Sequence, residues 1–162
     1  MTRFLLALSV LILAWSGAAL AHSYKLGSLE IGHPWARATP PTAPTGGGFL
    51  TITNKGTAAD RLVSASSPAA ASVQVHEMKM EGNTMKMRAA PALELPPRQT
   101  VELKPGGYHV MLMDLKQPLV NGTSLPLVLS FEDAKGAKSS LQLSVPVRTL
   151  TAAPPAAGEH KH

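Results

Sequence analysis

Six of the seven methionines in this 162-residue chain stand beside a histidine, and the seventh is the initiator. One stretch reads Val75-His76-Glu77-Met78-Lys79-Met80, and after Glu81-Gly82-Asn83-Thr84 it continues as Met85-Lys86-Met87. A second, distant stretch reads Tyr108-His109-Val110-Met111-Leu112-Met113. Strand residues two apart share a face. Extended, these segments place His76, Met78 and Met80 on one side, and His109, Met111 and Met113 together on another. A hairpin turn centred on Gly82-Asn83 predicts that Met80 faces Met85 and Met78 faces Met87. His76 then lies opposite Ala89 and diagonal to Met87, about 7–8 Å away between backbones.

Imidazole and thioether together point to a soft metal ion. Thioether sulfur binds hard cations such as Mg or Ca poorly and suits Cu(I), while neutral imidazole adds a stronger donor. The chain has no cysteine, which excludes a disulfide framework, a thiolate zinc site, an iron–sulfur cluster and a cysteine nucleophile. It also closes the electron-transfer role of His₂Cys copper sites. A site of neutral ligands leaves the ion's charge uncompensated, which fits a carrier that yields copper to a thiolate-bearing acceptor. Any single methionine reads more simply as core filler. Met faces on a hairpin and on a distant strand, each headed by histidine, make an odd core in a chain rich in Leu, Val and Ala.

Other histidines carry weaker signals. Arg3, the apolar run Phe4 to Trp15 and the small residues Ser16, Gly17 and Ala19-Leu20-Ala21 form a secretory signal pattern over residues 1–21. The apolar run is shorter than the roughly 20 residues a membrane-spanning helix needs, so we expect an exported periplasmic protein that is not integral to the membrane. Its mature N-terminus would be His22, where α-amine and imidazole can chelate Cu(II). Copper-dependent polysaccharide monooxygenases start from that arrangement, which makes a copper-dependent oxidoreductase the alternative reading. Two Tyr and two Trp, one Trp within the leader, leave little for a flat aromatic substrate surface. His160 and His162 end the chain and offer a secondary Cu(II) site, because Cu(II) prefers imidazole and carboxylate to thioether. His33, before Pro34-Trp35, reads as structural.

The elements that must position these residues are short strands. Alternation of apolar and polar residues marks Leu29–Ile31, Phe49–Thr53, Arg61–Ala65, Ser72–Met80, Met85–Ala89, Thr100–Leu103, Tyr108–Leu115, Leu125–Phe131 and Leu141–Val147. Between them stand turn punctuators, including Gly46-Gly47-Gly48, Asn54-Lys55-Gly56, Pro105-Gly106-Gly107, Asn121-Gly122 and Lys135-Gly136. Spacing of this kind predicts an all-β antiparallel sandwich or barrel over residues 22–148. The Ala/Pro-rich segment 149–162 lacks the apolar residues to pack and is expected to be a flexible tail. The formal charge of +5 is spread without runs, and aromatic residues are only 4%. Neither feature resembles a nucleic-acid surface.

His76, ten residues, Met87, twenty-one residues, His109, one residue, Met111 reproduces the H-x10-M-x21-H-x-M motif, and the chain resembles the PCuAC-type periplasmic copper chaperones. His33-Pro34-Trp35-Ala36-Arg37-Ala38 and Lys104-Pro105-Gly106-Gly107-Tyr108-His109 look like that family too, and the likeness runs from about Leu26 to Val147. The resemblance implies a cupredoxin-like, Greek-key β-sandwich without enzymatic turnover. It implies primary Cu(I) ligation by His76, Met87, His109 and Met111; the shared strand faces leave Met78, Met80, Met85 and Met113 as nearby spare thioethers. It further implies delivery toward the copper A subunit of cytochrome c oxidase, directly or through a thiol-bearing copper assembly protein. A copper-tolerance buffer is the other use such a site could serve.

Overall fold

The structure is a computed structural model and describes residues 23–149. Eleven strands follow one another: β1 (Tyr24–Leu26), β2 (Leu29–Arg37), β3 (Thr45–Asn54), β4 (Asp60–Ser66), β5 (Ala70–Glu81), β6 (Thr84–Ala89), β7 (Leu93–Leu95), β8 (Thr100–Leu103), β9 (Tyr108–Leu115), β10 (Ser124–Glu132) and β11 (Lys138–Arg148). The nine strands expected from alternation are all present. β1 and β7 are additions, too short at three residues each for alternation to register.

Hydrogen bonding links the strands in the order β6-β5-β9-β8-β3-β2-β11-β10-β4-β7, with β1 on β2. A further pairing, Ala65 with Val73, joins β4 to β5 and brings the sheet round on itself. The result is a barrel-like sandwich. Most pairings are antiparallel, as expected, but β11 runs parallel to β2 and β8 parallel to β9. Alternation in an isolated strand carries no information about its neighbour's direction.

The inward faces are aliphatic. Ile31 and Ile52, Val110 and Leu112, Leu127 to Phe131 at every second position, and Leu143, Val145 and Val147 fill the interior. Buried Asn54 ties the base of this core together. Its Nδ2 donates to the carbonyls of Ala58 (2.8 Å) and Leu95 (2.9 Å), and its Oδ1 accepts from Gly56 N (2.9 Å).

Two local features depart from the sequence expectation. Gly46-Gly47-Gly48 is strand, not turn, and pairs residue by residue with Leu112, Met111 and Val110. The glycines answer a need for space. A Cβ on Gly46 would stand 2.8 Å from Leu119 Cδ1, and one on Gly47 would stand 3.3 Å from Phe49 Cζ. In β2 the register slips between Gly32 and Trp35, where His33 takes φ 50°. That bulge lets the strand run on through Pro34 to Arg37, since a proline within a sheet is tolerated at bulges.

Candidate metal centre

The strand β5 stands between the two strands that carry the rest of the His/Met pattern. On one side the β5–β6 hairpin turns at Gly82-Asn83 with Gly82 at φ 63°, the conformation a two-residue turn asks of its first glycine. Its register is the one the turn predicts: His76 opposite Ala89, Met78 opposite Met87 and Met80 opposite Met85. On the other side, β9 places His109 directly opposite His76 and Met111 opposite Gln74. Val75, Val110 and Leu112 belong to the core, so alternation turns His76, His109 and all six methionines to the outer face. The direct pairing of the two histidines depends on the long-range β5–β9 register, for which the chain carries no local signal.

His76 and His109 retain only 9% and 7% of their exposure. Their ring centroids lie 5.8 Å apart, edge to face at 66°. Metal–imidazole bonds are about 2 Å long, so both rings can reach one ion from this spacing. Each ring is oriented through one nitrogen. His109 Nδ1 donates to the Gly107 carbonyl at 3.1 Å, leaving Nε2 as the lone-pair nitrogen. His76 Nε2 donates to Gln74 Oε1 at 3.0 Å, and its Nδ1 is buried without a partner. Second-nitrogen bonds of this kind fix the tautomer of a ligating histidine. Burial first, and the neighbouring His109 second, hold the His76 pKa below the ordinary histidine value. The ring is therefore kept neutral, as coordination requires.

Gly107 does double duty. Its carbonyl also accepts the Met78 backbone N–H at 3.1 Å, tying the hairpin strand to the loop that aims His109. The sequence marks Gly107 as part of a turn, but assigns an orienting role to neither Gly107 nor Gln74. The signal for Gln74 was present, two residues before His76 on the same face, but its residue type drew no notice.

The methionines divide into two groups. Met111 and Met113 are half-buried on β9. Met111 lies beside Gly47 on the β3 side, while Met113 sits between Ser72 and Thr45, farther from the histidines. Met78, Met80, Met85 and Met87 lie on the hairpin, where every residue of β6 is exposed. Met87 and Met111 fall on opposite diagonals of His76, two strands and four register steps apart, roughly 17 Å between backbones in a flat sheet. Strand twist and curl must close that gap for both thioethers to reach one ion. Among the described residues no group of three or more His, Cys, Asp or Glu could hold a metal, so a carboxylate-rich site for a hard cation is absent there.

His33 stands exposed at the β2 bulge. His22, His160 and His162 lie outside the described residues. Beside the centre, Phe49 is buried on the outer face, its ring 4.6 Å from that of Trp35 and under the Arg37 guanidinium at 5.7 Å.

Comparison with known proteins places this fold beside copper-binding PCuAC domains. Residues 29–147 match the LpqE-like family, described as "Putative lipoprotein LpqE-like". "Putative lipoprotein Lxx21020" of Leifsonia xyli subsp. xyli (strain CTCB07) is 32% identical over 126 residues, covering 77% of this chain and 72% of that protein. Among solved structures, the copper-bound PCuAC domain from PmoF2 superposes with a TM-score of 0.65 at 27% identity, over 79% of this chain and 98% of the domain. The Cu(I) solution structure of DR1885 from Deinococcus radiodurans gives 0.58 at 28% identity, over 82% of this chain and 84% of that one.

Proposed function

This chain belongs to the LpqE-like family of PCuAC-type domains, and from that premise we propose that it is an exported copper chaperone. It holds Cu(I) on the outer face of β5, β6 and β9 and surrenders it to a protein with stronger ligands. The observation that carries this reading is the buried His76–His109 pair. Each ring is fixed by one nitrogen and keeps a lone pair on the other, at the centre of a methionine face. His76, His109, Met87 and Met111 are the ligands we assign.

The chemistry is binding and release, with no turnover. Four neutral ligands do not offset the ion's charge, so a thiolate acceptor competes well. Transfer proceeds by ligand exchange, without change of oxidation state: a copper–thioether bond on the exposed hairpin breaks as an acceptor thiolate binds. The half-exposed Met87 is placed to leave first, and the buried histidines last. Residues 1–21 support export by their signal pattern. The acceptor we propose is the copper A site of cytochrome c oxidase, reached directly or through a thiol-bearing assembly protein. His160 and His162 would add Cu(II) capacity.

The test is copper transfer. Protein loaded with one equivalent of Cu(I) is mixed with an apo copper A domain, alone and with a dithiol copper protein present, and the absorption of the assembled centre is followed. Growth of that absorption supports delivery. Retention of all copper by the donor under both conditions would leave a storage or tolerance role in its place.

A further inference from the structure

The β5–β6 hairpin has two exposed faces of opposite character. One carries Glu77, Lys79, Glu81, Lys86 and Arg88, with Glu81 paired to both Lys86 (2.7 Å) and Arg88. The other carries four thioethers in two cross-strand pairs, Met78 with Met87 and Met80 with Met85. None of the four belongs to the core or packs against it. Met80, Met85 and Met87 keep 56%, 45% and 47% of their exposure, and among described large hydrophobic residues only Val120 matches them. Four flexible apolar side chains in register, three of them exposed and Met78 half-buried, on the face that leads from the histidine pair, are unexplained by core packing.

We infer that Met78, Met80, Met85 and Met87 form an outer soft-cation site, taking a second Cu(I) or its analogue Ag(I) through thioether sulfur. Directly opposed strand residues have Cβ atoms about 4.5–5.5 Å apart, and diagonal ones about 7–8 Å. Methionine's three rotatable bonds let all four sulfurs converge above such a quadrilateral. Thioether selects soft monovalent ions over the hard cations of the surroundings. The register makes this grouping tighter than the one joining Met87 to Met111, because Met87 is directly beside Met78 and lies across two strands from Met111. Met87 is thus shared between the outer site and the histidine centre. The hairpin tip becomes the place where copper first lands or last leaves. The inference rests on the reading that this protein carries copper, and it adds a second place for the ion.

The experiment is a titration of the full chain with Ag(I), and with Cu(I) under anaerobic conditions, followed by NMR of methionine labelled at the ε-methyl carbon together with the histidine ring signals. Through the first equivalent the rings of His76 and His109 should shift with the Met111 methyl. Through the second, the Met80 and Met85 methyls should move. The double variant Met80→Leu/Met85→Leu changes only exposed side chains of similar volume, so it should fold normally. It should weaken the second equivalent about tenfold or more and leave the first unchanged. Methyls of Met80 and Met85 that stay fixed through two equivalents, while the rings and Met111 respond, overturn the outer site alone. Methyls that shift while both histidine rings stay fixed keep the outer site and overturn the assignment of the histidine centre.

Discussion

His76 keeps its two ring nitrogens in unequal company, one bonded to Gln74 and the other buried with no partner. Burial and the adjacent His109 hold its folded-state pKa down, whereas in the unfolded chain it titrates near the ordinary value of about 6.5. Below that pH the unfolded chain takes up a proton that the folded chain resists, so copper-free protein should lose stability as pH falls from about 6.5. Above it this group contributes no slope. Denaturant unfolding followed by Trp35 fluorescence at about pH 7.5 and about pH 5.5 should show the loss, and His76→Gln should flatten it. An equal acid loss in the variant would place its origin elsewhere. At the thioethers, Met87→Leu with Met111→Leu should cost less than about 1.5 kcal/mol in folding. The same pair should sharply weaken Cu(I) binding, measured by competition with a chromophoric chelator. Unchanged affinity would remove both from the ligand set. These residues were legible in the sequence because their types are unusual and their spacing is two. Gln74 and Gly107, which orient the rings, were not, since an amide and a backbone carbonyl look the same wherever they occur.

The element that matters most is the β5–β6 hairpin, and its register followed from one feature, a two-residue turn with glycine at its first central position. Turn geometry fixes register locally, so the pairing of Met78 with Met87 needed no knowledge of the fold. Long-range register had no such signal. Gly46-Gly47-Gly48 looked like a turn because glycine is the commonest turn residue. Its real role is to leave room for the Leu119 side chain over Gly46 and the Phe49 ring over Gly47. The His33 bulge was hidden for a similar reason, as Pro34 reads as a strand stop in the absence of the slip that accommodates it. β6 hydrogen-bonds to β5 alone, and none of its residues is buried. Edge ribbons of this kind open at little cost. Amide hydrogen exchange in β6 should therefore be fast in the copper-free protein. It should slow when copper binds, because Met87 then tethers the strand to the histidine centre. Exchange in β6 that does not change on loading would show that Met87 takes no part in holding the ion.

Over the whole molecule the His/Met face and the core are back to back on the same strands. Val75, Val110 and Leu112 anchor β5 and β9 from inside while their neighbours carry the site outside. The alternation that revealed the fold class therefore also separated core from site. What alternation could not give was the closure of the sheet through Ala65 and Val73, or the two parallel pairings, which depend on how distant strands meet. This back-to-back arrangement makes stability and copper affinity separable by position. Asn54 sits at the end of β3 remote from Gly47 and holds Ala58, Leu95 and Gly56 through three hydrogen bonds, fully buried. Replacing it with alanine removes those bonds and strands two carbonyl acceptors, a loss of about 3 kcal/mol at roughly 1 kcal/mol per bond. The strand β9 pairs with β3 only at Thr45–Gly48, the end opposite Asn54, and the Asn54 side chain bonds to no residue of β5 or β9. Asn54→Ala should thus lower the unfolding midpoint in denaturant substantially. Cu(I) affinity, measured at a temperature where the variant is still folded, should stay at the wild-type value. A parallel fall in both would mean that the centre depends on the rigidity of the entire barrel rather than on the local pairing of β5 with β9.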